Sequence, residues 1–324
     1  MRSSLDSAPD VSPEASVGLG ISIGHWQDTQ AMTGCTVLLC PPGGCLASAA
    51  IRGAAPGTRE TALLDPEKSN AAIHALLFAG GSAFGLEAAQ GVVRFLAEQK
   101  LGFQTPHACI PIVPAAVIYD LSVGDSQRYP DADAGYQAAK QALSSALPVA
   151  QSPVGRVGVG IAATCGKHAG AAYAQWGGLG CAQMDVQGAQ LVALTVANPF
   201  GNIIDPDTGS IIAGHAFARG AKPDIASLRH FFAEQHSNTT LVAVLTDAQI
   251  SKSEARVLAE SAHVGIARVT RPSHTPFDGD SSFALSSNRG PQVDLLQLSV
   301  AVQELVAEAI VQGARAANAE ESLV

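Results

Sequence analysis

The chain has 324 residues, of which 47% are hydrophobic, and a formal net charge of −9 at pH 7. This length allows one large domain with a substantial core, and an acidic chain without a Lys/Arg block has no electrostatic surface for nucleic acid or an anionic membrane. The 32 glycines and the aromatic share of only 5% favour closely packed layers with tight turns over a disordered chain.

The N-terminal residues 1–15 are polar and predict a disordered extension. They lack the basic start and apolar run of a secretory signal. Elsewhere, Gly, Ser or charged residues break the apolar stretches before the ~20 residues of a membrane-spanning helix. We therefore expect a cytoplasmic protein without a membrane segment. In that compartment the six cysteines are expected to be buried free thiols, and the spacing of Cys35, Cys40 and Cys45 is too wide for a structural zinc site.

In the first half of the chain, the apolar periodicity predicts strands and helices in clusters. Strands are expected within residues 16–51, and a helix within residues 70–100, where apolar residues recur at three- and four-residue intervals. A buried strand is expected at 110–119 and a second helix at 131–144. The Gly-rich segment 155–188 predicts loops and short strands.

The second half contains the most informative junction. An apolar strand at 191–197 ends at Asn198, and a polar segment at 220–238 is the best linker candidate. Directly after it, the unbroken apolar run 240–247 predicts a strand that is buried on both faces.

Three further elements complete the chain. Ser251 and Glu254 form a capping-box pattern that opens a helix to about Arg268. A short strand is expected at 283–286 and a long amphipathic helix at 294–317. Clustered strands with helices between the clusters favour an α+β fold, with sheets inside and helices outside.

Two glycine motifs suggest nucleotide binding only superficially. The motif that begins at Gly158 matches G-x-G-x-x-A, but it lacks the preceding strand and following helix of a dinucleotide site. The segment from Gly160 to Lys167 is one residue too long for a Walker A loop, and His168 occupies its Ser/Thr position. We therefore expect no nucleotide cofactor.

The segment Asn238-Thr239-Thr240 lies between the linker and the buried strand. One interpretation is that threonine is simply favoured in strands. Asn-Thr-Thr also matches a glycosylation site, but without a secretory signal we expect no glycosylation. Asp278 and Asp280, two residues apart in an extended segment, would face the same side. Asn198, at a strand end, and Lys167, in a Gly-rich loop, are the other polar candidates.

Several segments resemble one family of N-terminal-nucleophile-like hydrolases, namely the L-aminopeptidase/D-esterases, β-aminopeptidases and nylon-oligomer hydrolases. The similarity extends from about residue 16 to 313, and its motifs occur in the family's order. They are Phe78-Ala-Gly-Gly-Ser-Ala-Phe-Gly-Leu-Glu-Ala, Pro114-Ala-Ala-Val-Ile-Tyr-Asp, Cys165-Gly-Lys, Trp176-Gly-Gly-Leu-Gly, Ala197-Asn-Pro, Asn238-Thr-Thr and His274-Thr-Pro-Phe-Asp-Gly-Asp.

The resemblance implies a four-layer αββα sandwich, made as one precursor and cut between Asn238 and Thr239. Residues 16–238 would form the α chain and residues 239–324 the β chain of one domain, with a homotetramer of such two-chain units as the expected assembly. No metal or organic cofactor is implied.

The resemblance also implies a role for each site residue by position. Thr239 matches the nucleophile, and Asp278 and Asp280 match the acidic or polar pair beside it. Asn198 matches the side chain placed for the oxyanion, and Lys167 matches a lysine near the reacting centre, although a structural role for this lysine is equally open.

Tyr119 matches a tyrosine on the substrate side, and its neighbourhood bears on the substrate. The aminopeptidase branches carry an acidic residue two positions before this tyrosine, whereas this chain has Val117. An apolar residue cannot hold a terminal ammonium, so the chain resembles the nylon-oligomer branch, which cuts internal amides of ω-amino-acid chains. Aminopeptidase activity stays open, and Cys181, often Ser in relatives, is expected to be a packing residue.

Two other classes of function remain as alternatives. Ornithine acetyltransferases use a similar self-cleaving Thr and also show an Asp-Gly-Asp segment, so an acyltransferase would transfer an acetyl group to glutamate. A scaffold that is never processed is the other alternative.

The first prediction concerns processing. A cut before Thr239 divides 33.0 kDa in proportion to 238 and 86 of 324 residues, which gives fragments of about 24 and about 9 kDa. A denaturing gel of the purified protein should show these two bands, and N-terminal sequencing of the smaller one should begin at Thr239. A single band at 33.0 kDa would favour the scaffold.

Overall fold

The computed structural model describes residues 19–170, 173–216 and 238–319. Its strands in chain order are β1 (Ser22–Asp28), β2 (Thr33–Leu39), β3 (Leu46–Ile51), β4 (Thr58–Arg59), β5 (Ala75–Ala79), β6 (Phe103–Gln104), β7 (Cys109–Ile110), β8 (Ala115–Val117), β9 (Thr164–Cys165), β10 (Gln175–Trp176), β11 (Leu179–Val186), β12 (Ala189–Asn198), β13 (Asn202–Ile204), β14 (Ile211–Ala213), β15 (Thr239–Thr246), β16 (Thr270–Arg271) and β17 (Ser281–Ser286). The helices are α1 (Ala88–Glu98), α2 (Ala132–Ser145), α3 (Lys252–Val269) and α4 (Leu295–Ala319).

Two five-stranded sheets form the centre of the molecule. The first has the strand order β1-β2-β5-β8-β4, and the second has the order β11-β12-β15-β17-β3. In the second sheet β15 pairs antiparallel with β12 and parallel with β17, so it is a central strand with a hydrogen-bonding neighbour on each side.

Three apolar layers show that the fold is the expected αββα sandwich. The outer faces of the two sheets pack against α1 with α2 and against α3 with α4, respectively. The inner faces of the sheets pack against each other, with Phe78 of the first sheet in ring contact with Phe283 of the second. Each sheet is therefore covered on both faces, which a β-sheet with two apolar faces requires.

Strand β15 illustrates burial on both faces. Leu241, Ala243 and Leu245 belong to the layer between the sheets, whereas Val242 and Val244 belong to the layer beneath α3 and α4. Alternation of side chains across a strand explains this division. The prediction of a strand buried on both faces is therefore confirmed, and the strand begins one residue earlier than expected, at Thr239.

The helices follow their sequence signals closely. The side chain of Asp131 caps α2 by accepting from the backbone N–H of Ala134 at 2.9 Å. Both hydrogen bonds of the predicted capping box between Ser251 and Glu254 are present at the start of α3. These caps satisfy N–H groups that have no partner within a helix, so the helix starts are well determined by sequence.

Other elements differ from the sequence prediction. The strand expected at 110–119 is divided, because Pro111 and Pro114 lack the N–H that a continuous ladder needs, and only β7 and β8 form. The Gly-rich segment 155–188, for which loops and short strands were expected, contains an eight-residue strand, β11. The predicted extension at 1–15 and linker at 220–237 lie outside the described residues.

Glycines allow α1 and α2 to approach each other closely. A Cβ on Gly91 would lie 1.6 Å from Ala132 O, and one on Gly135 would lie 1.9 Å from Ala88 O. Neither glycine tolerates a side chain at this distance. The packing explains the Gly- and Ala-rich composition.

Helix α4 is long and apolar enough to cross a membrane by length and composition, which the sequence analysis did not foresee. Its buried residues, Leu298, Val302, Leu305 and Ile310 among them, pack in the layer beneath the second sheet. A core helix covered by a sheet and by α3 accounts for this apolar composition. The described cysteines are free thiols, and Cys109 is the one that is not buried.

The layer between the sheets should dominate stability. Leu245→Ala, at a fully buried position on β15, should lower the free energy of unfolding by about 2–5 kcal/mol. Leu143→Ala is the control, since this leucine on α2 is 42% exposed and its truncation should change the value by under about 0.5 kcal/mol. Urea unfolding followed by circular dichroism measures both, and equal losses would contradict the layer assignment.

Candidate active site

The Asn238–Thr239 bond lies at the point where the chain enters the second sheet. Thr239 is the first residue of β15, and its ladder partner is Asn198, the last residue of β12. On the other side, Asn238 forms a bridge with Asp278 just before β17 begins. The adjacent ends of three strands therefore bring together residues that are far apart in the sequence.

The carbonyl group of Asn238 is held by two donors in the uncut chain. The hydroxyl of Thr239 donates to Asn238 O at 2.5 Å, and the backbone N–H of Gly279 donates to the same oxygen at 2.7 Å. Asn238 and Thr239 are both buried. The Thr239 hydroxyl therefore lies against the carbonyl group of Asn238 in a buried site.

Gly279 is in direct contact with the threonine. A Cβ at this position would lie 2.6 Å from Ala55 O and 2.8 Å from Thr239 Oγ. Only glycine therefore lets the backbone N–H approach Asn238 O while the hydroxyl keeps its place. The sequence analysis missed this donor, although the glycine between the two aspartates was visible.

Asp278 and Asp280 flank Gly279 and are almost completely buried. Asp278 accepts from the backbone N–H of Thr275 at 2.7 Å and from its hydroxyl at 2.5 Å. Asp280 accepts from the backbone N–H of Thr240 at 2.6 Å and from His274 Nδ1 at 2.7 Å. Asp280 thus fixes the backbone directly after Thr239, whereas the Asp278 carboxylate fixes the neighbouring segments at Thr275 and Phe200.

The two carboxyl groups differ in environment. Burial raises the pKa of Asp278, and the negative charge of Asp280 raises it further. Two close carboxylates do not ionise equally easily, so Asp278 has an increased affinity for a proton.

Lys167 and Asn198 form a buried pair next to the threonine. Lys167 Nζ donates to Asn198 O at 3.0 Å and to Asn198 Oδ1 at 2.8 Å, and the backbone N–H of Thr164 also donates to Oδ1 at 3.0 Å. Burial lowers the pKa of Lys167 to about 7, although nearby acidic groups, Asp278 among them, favour its charged form.

Tyr119 contacts Asn198 through its backbone carbonyl group. Asn198 Nδ2 donates to Tyr119 O at 3.2 Å, so this amide is directed at the tyrosine. The donors on Asn238 O are instead the Thr239 hydroxyl and the Gly279 N–H. Val117 is buried in the apolar layer beneath α1 and α2, where it offers no charge. Burial raises the pKa of Cys181 to about 12, and its thiol donates to Val149 O, which is the environment of a packing residue.

The structure thus brings the seven residues proposed from the sequence to one place in the fold, although Tyr119 contributes its carbonyl group in the contacts above. The neighbours that sequence reasoning did not single out are Gly279, Thr164, Thr275 and His274. Three of them carry a signal, because His274, Thr275 and Gly279 belong to the motif that ends in Asp280.

The αββα sandwich defines the fold class of the N-terminal-nucleophile hydrolases. The model of peptidase family S58 matches residues 18–322, and the chain therefore belongs to this family. It is a peptidase or amidohydrolase.

Known proteins agree with this assignment. The chain is 41% identical over 287 residues to an uncharacterized aminopeptidase of Mycobacterium tuberculosis, with 83% of this chain and 79% of that protein covered. It is 33% identical over 289 residues to the 6-aminohexanoate-oligomer endohydrolase of Kocuria sp., with 85% and 74% covered. The solved structure of the L-aminopeptidase D-Ala-esterase/amidase of Ochrobactrum anthropi, described as a variant of the Ntn-hydrolase fold, superimposes with a TM-score of 0.67 at 17% identity. The superposition covers 91% of this chain and 83% of that chain.

The close approach of Gly279 to Thr239 predicts the effect of a single methyl group. Gly279→Ala should displace the hydroxyl or the Asn238 carbonyl and slow self-cleavage by about 10²–10³-fold, the typical cost of losing one oxyanion donor. Time-resolved intact mass of freshly translated protein measures this rate. Gly209→Ala is the control for backbone strain: its φ of +70° disfavours a side chain, but a Cβ there meets no atom within 4 Å. Equal cleavage rates in the two variants would contradict the prediction.

Proposed function

We propose that this protein is a self-processing amide hydrolase, which cuts its own Asn238–Thr239 bond and then uses Thr239 as an N-terminal nucleophile. The observation that carries the proposal is the contact of Thr239 Oγ with Asn238 O at 2.5 Å, with Gly279 N–H on the same oxygen. The family assignment supports the same class of reaction.

In the first reaction, Oγ of Thr239 attacks the carbonyl carbon of Asn238. Negative charge develops on the carbonyl oxygen, where the Gly279 N–H is already in place to stabilise it. The amide nitrogen of Thr239 then leaves with a proton, which produces an ester between Asn238 and the threonine hydroxyl. Water hydrolyses this ester, leaving a carboxylate on Asn238 and a free α-amine on Thr239.

The new α-amine makes Thr239 a competent nucleophile. An α-amino group has a pKa of about 7.7–8.0, so a useful fraction is neutral near pH 7 and can take the hydroxyl proton. The two groups belong to one residue, which removes most of the cost of bringing them together. Asp278 and Asp280 orient the hydroxyl and the ammonium and relay protons, whereas Asn198 donates to the oxyanion of the acyl-enzyme step and Lys167 adds positive charge.

For the substrate, we favour internal amides of flexible linear chains, including ω-amino-acid oligomers. The apolar, buried Val117 offers no partner for a terminal ammonium beside Tyr119, and one relative is named a 6-aminohexanoate-oligomer endohydrolase. Removal of N-terminal residues is the second candidate, supported by the 41% identity to a relative named an aminopeptidase.

We further propose a cytoplasmic homotetramer of two-chain units. Free thiols, five of them buried, suit a reducing compartment. The outer surface of α3 and α4 exposes several apolar side chains that suit packing between copies: Val257, Val264, Leu296 and Val300.

Replacement of the nucleophile provides the direct test. Thr239→Ala should leave the chain in one piece and abolish amide hydrolysis, whereas Thr239→Ser should restore cleavage, because it keeps the hydroxyl. The matched control is Thr240→Val: the hydroxyl of Thr240 is buried without a hydrogen-bond partner among the described residues, so its loss should leave cleavage intact.

Intact mass follows cleavage, and a panel of α-peptides, β-peptides and aminohexanoate oligomers follows turnover. Fragments from Thr239→Ala, or turnover by a wild-type chain that stays whole, would overturn the proposal. Acetyl transfer from acetylornithine to glutamate in place of amide hydrolysis would instead identify the acyltransferase.

A further inference from the structure

The imidazole of His274 contacts Asp280 on the side away from Thr240. His274 Nδ1 lies 2.7 Å from Asp280 Oδ2, and the backbone N–H of His274 donates to the same oxygen at 3.3 Å. The other ring nitrogen, Nε2, lies 3.4 Å from the backbone carbonyl of His263. A carbonyl oxygen and an ionised carboxylate only accept, so a ring that donates to both carries a proton on each nitrogen and a positive charge.

A second imidazole lies beside this ring without adding charge. His263, whose ring centroid lies 5.0 Å from that of His274, has Nε2 at 3.0 Å from Ala50 O. Its Nδ1 is buried without a hydrogen-bond partner among the described residues. Burial lowers the pKa of His263 to about 4, so this ring is neutral.

Asp280 transmits the contact to the threonine strand. Its Oδ1 accepts from the backbone N–H of Thr240 at 2.6 Å, directly after the proposed nucleophile. A continuous series of hydrogen bonds therefore leads from His263 O through His274 and Asp280 to the first residues of β15.

We infer that His274 is a positioning residue that, as an imidazolium, pairs with the Asp280 carboxylate and keeps it aligned on Thr240, and that Asp278 is the member of the pair that takes up a proton. The inference rests on the proposed function and adds a residue to its site. Asp278 suits its part, because it contacts the backbone and hydroxyl of Thr275 and has no cation as close as His274 is to Asp280 among its hydrogen-bond partners in the described chain.

The surrounding charges agree with this division. Burial opposes the charged form of His274, but the hydrogen bond to Asp280 and its negative charge outweigh burial and raise the pKa of His274. The other charged groups that face the pair are Asp278 on the same loop, Lys167 and, through His263, Glu260. Glu260 is itself paired with Arg52 and Arg256, which offset its charge. His274 is the cation in contact with Asp280.

The test measures self-cleavage of freshly translated full-length chain, because this reaction needs no identified substrate. His274→Leu should slow cleavage by about 10²-fold, the cost of a misplaced reacting group. It should also shift the acidic limb of the pH–rate profile to higher pH, because the site with its two carboxyl groups loses the positive charge beside it. His274→Asn restores a donor near the Nδ1 position without charge, so it should recover part of the rate while keeping the shifted limb.

His263→Leu is the control for lost packing. The variant keeps the backbone carbonyl of residue 263, and Ala50 O still accepts from the hydroxyl of Ser282 at 3.2 Å. This variant should cleave within a few-fold of the wild type, with an unshifted profile. Wild-type rate and profile in His274→Leu would overturn the inference, and if that variant does not fold, an unshifted limb in His274→Asn would do so. Failure of the wild type to cleave would instead sink the proposed function.

Discussion

Burial of β15 on both faces is the constraint on which the site depends. This strand lies in the middle of the second sheet, with one set of side chains between the sheets and the other beneath α3 and α4. Its first residue, Thr239, and the preceding Asn238 are therefore buried with their polar groups. A buried N–H, carbonyl or hydroxyl without a partner costs about 1–3 kcal/mol, so the fold must supply partners where this strand begins.

The loop before β17 supplies most of those partners. Because β17 runs parallel to β15, the residues that precede the two strands lie side by side, and Asp278, Gly279 and Asp280 come next to the Asn238–Thr239 bond. Gly279 N–H binds the carbonyl of Asn238, and Asp280 binds the N–H of Thr240. The same hydrogen bonds that stabilise the buried strand entry thus hold the reacting groups, so stability and chemistry make the same demand on this loop.

Local signals in the sequence predicted the parts of the fold that depend on local physics. The capping box at Ser251 and the apolar run of β15 specify their elements through neighbouring residues. The segment 110–119 shows the limit of such signals. Its apolar residues predicted one continuous strand, but two prolines without a ladder N–H divide it. Pairing of β12, β15 and β17 depends on contacts between distant segments, so residue patterns did not predict it and the family resemblance supplied the architecture.

The site shows the same boundary more sharply. The types of the acidic, amide and hydroxyl side chains are visible in the sequence, but the Gly279 N–H is a backbone group whose position depends on a register between β15 and β17. His274 was visible only as part of a motif, since its contact with Asp280 requires the turn that precedes β17. In the proposed reaction sequence, Asn238 O already accepts from the Gly279 N–H before Thr239 Oγ attacks. The register between β15 and β17, which no residue pattern shows, therefore also places the proposed oxyanion donor.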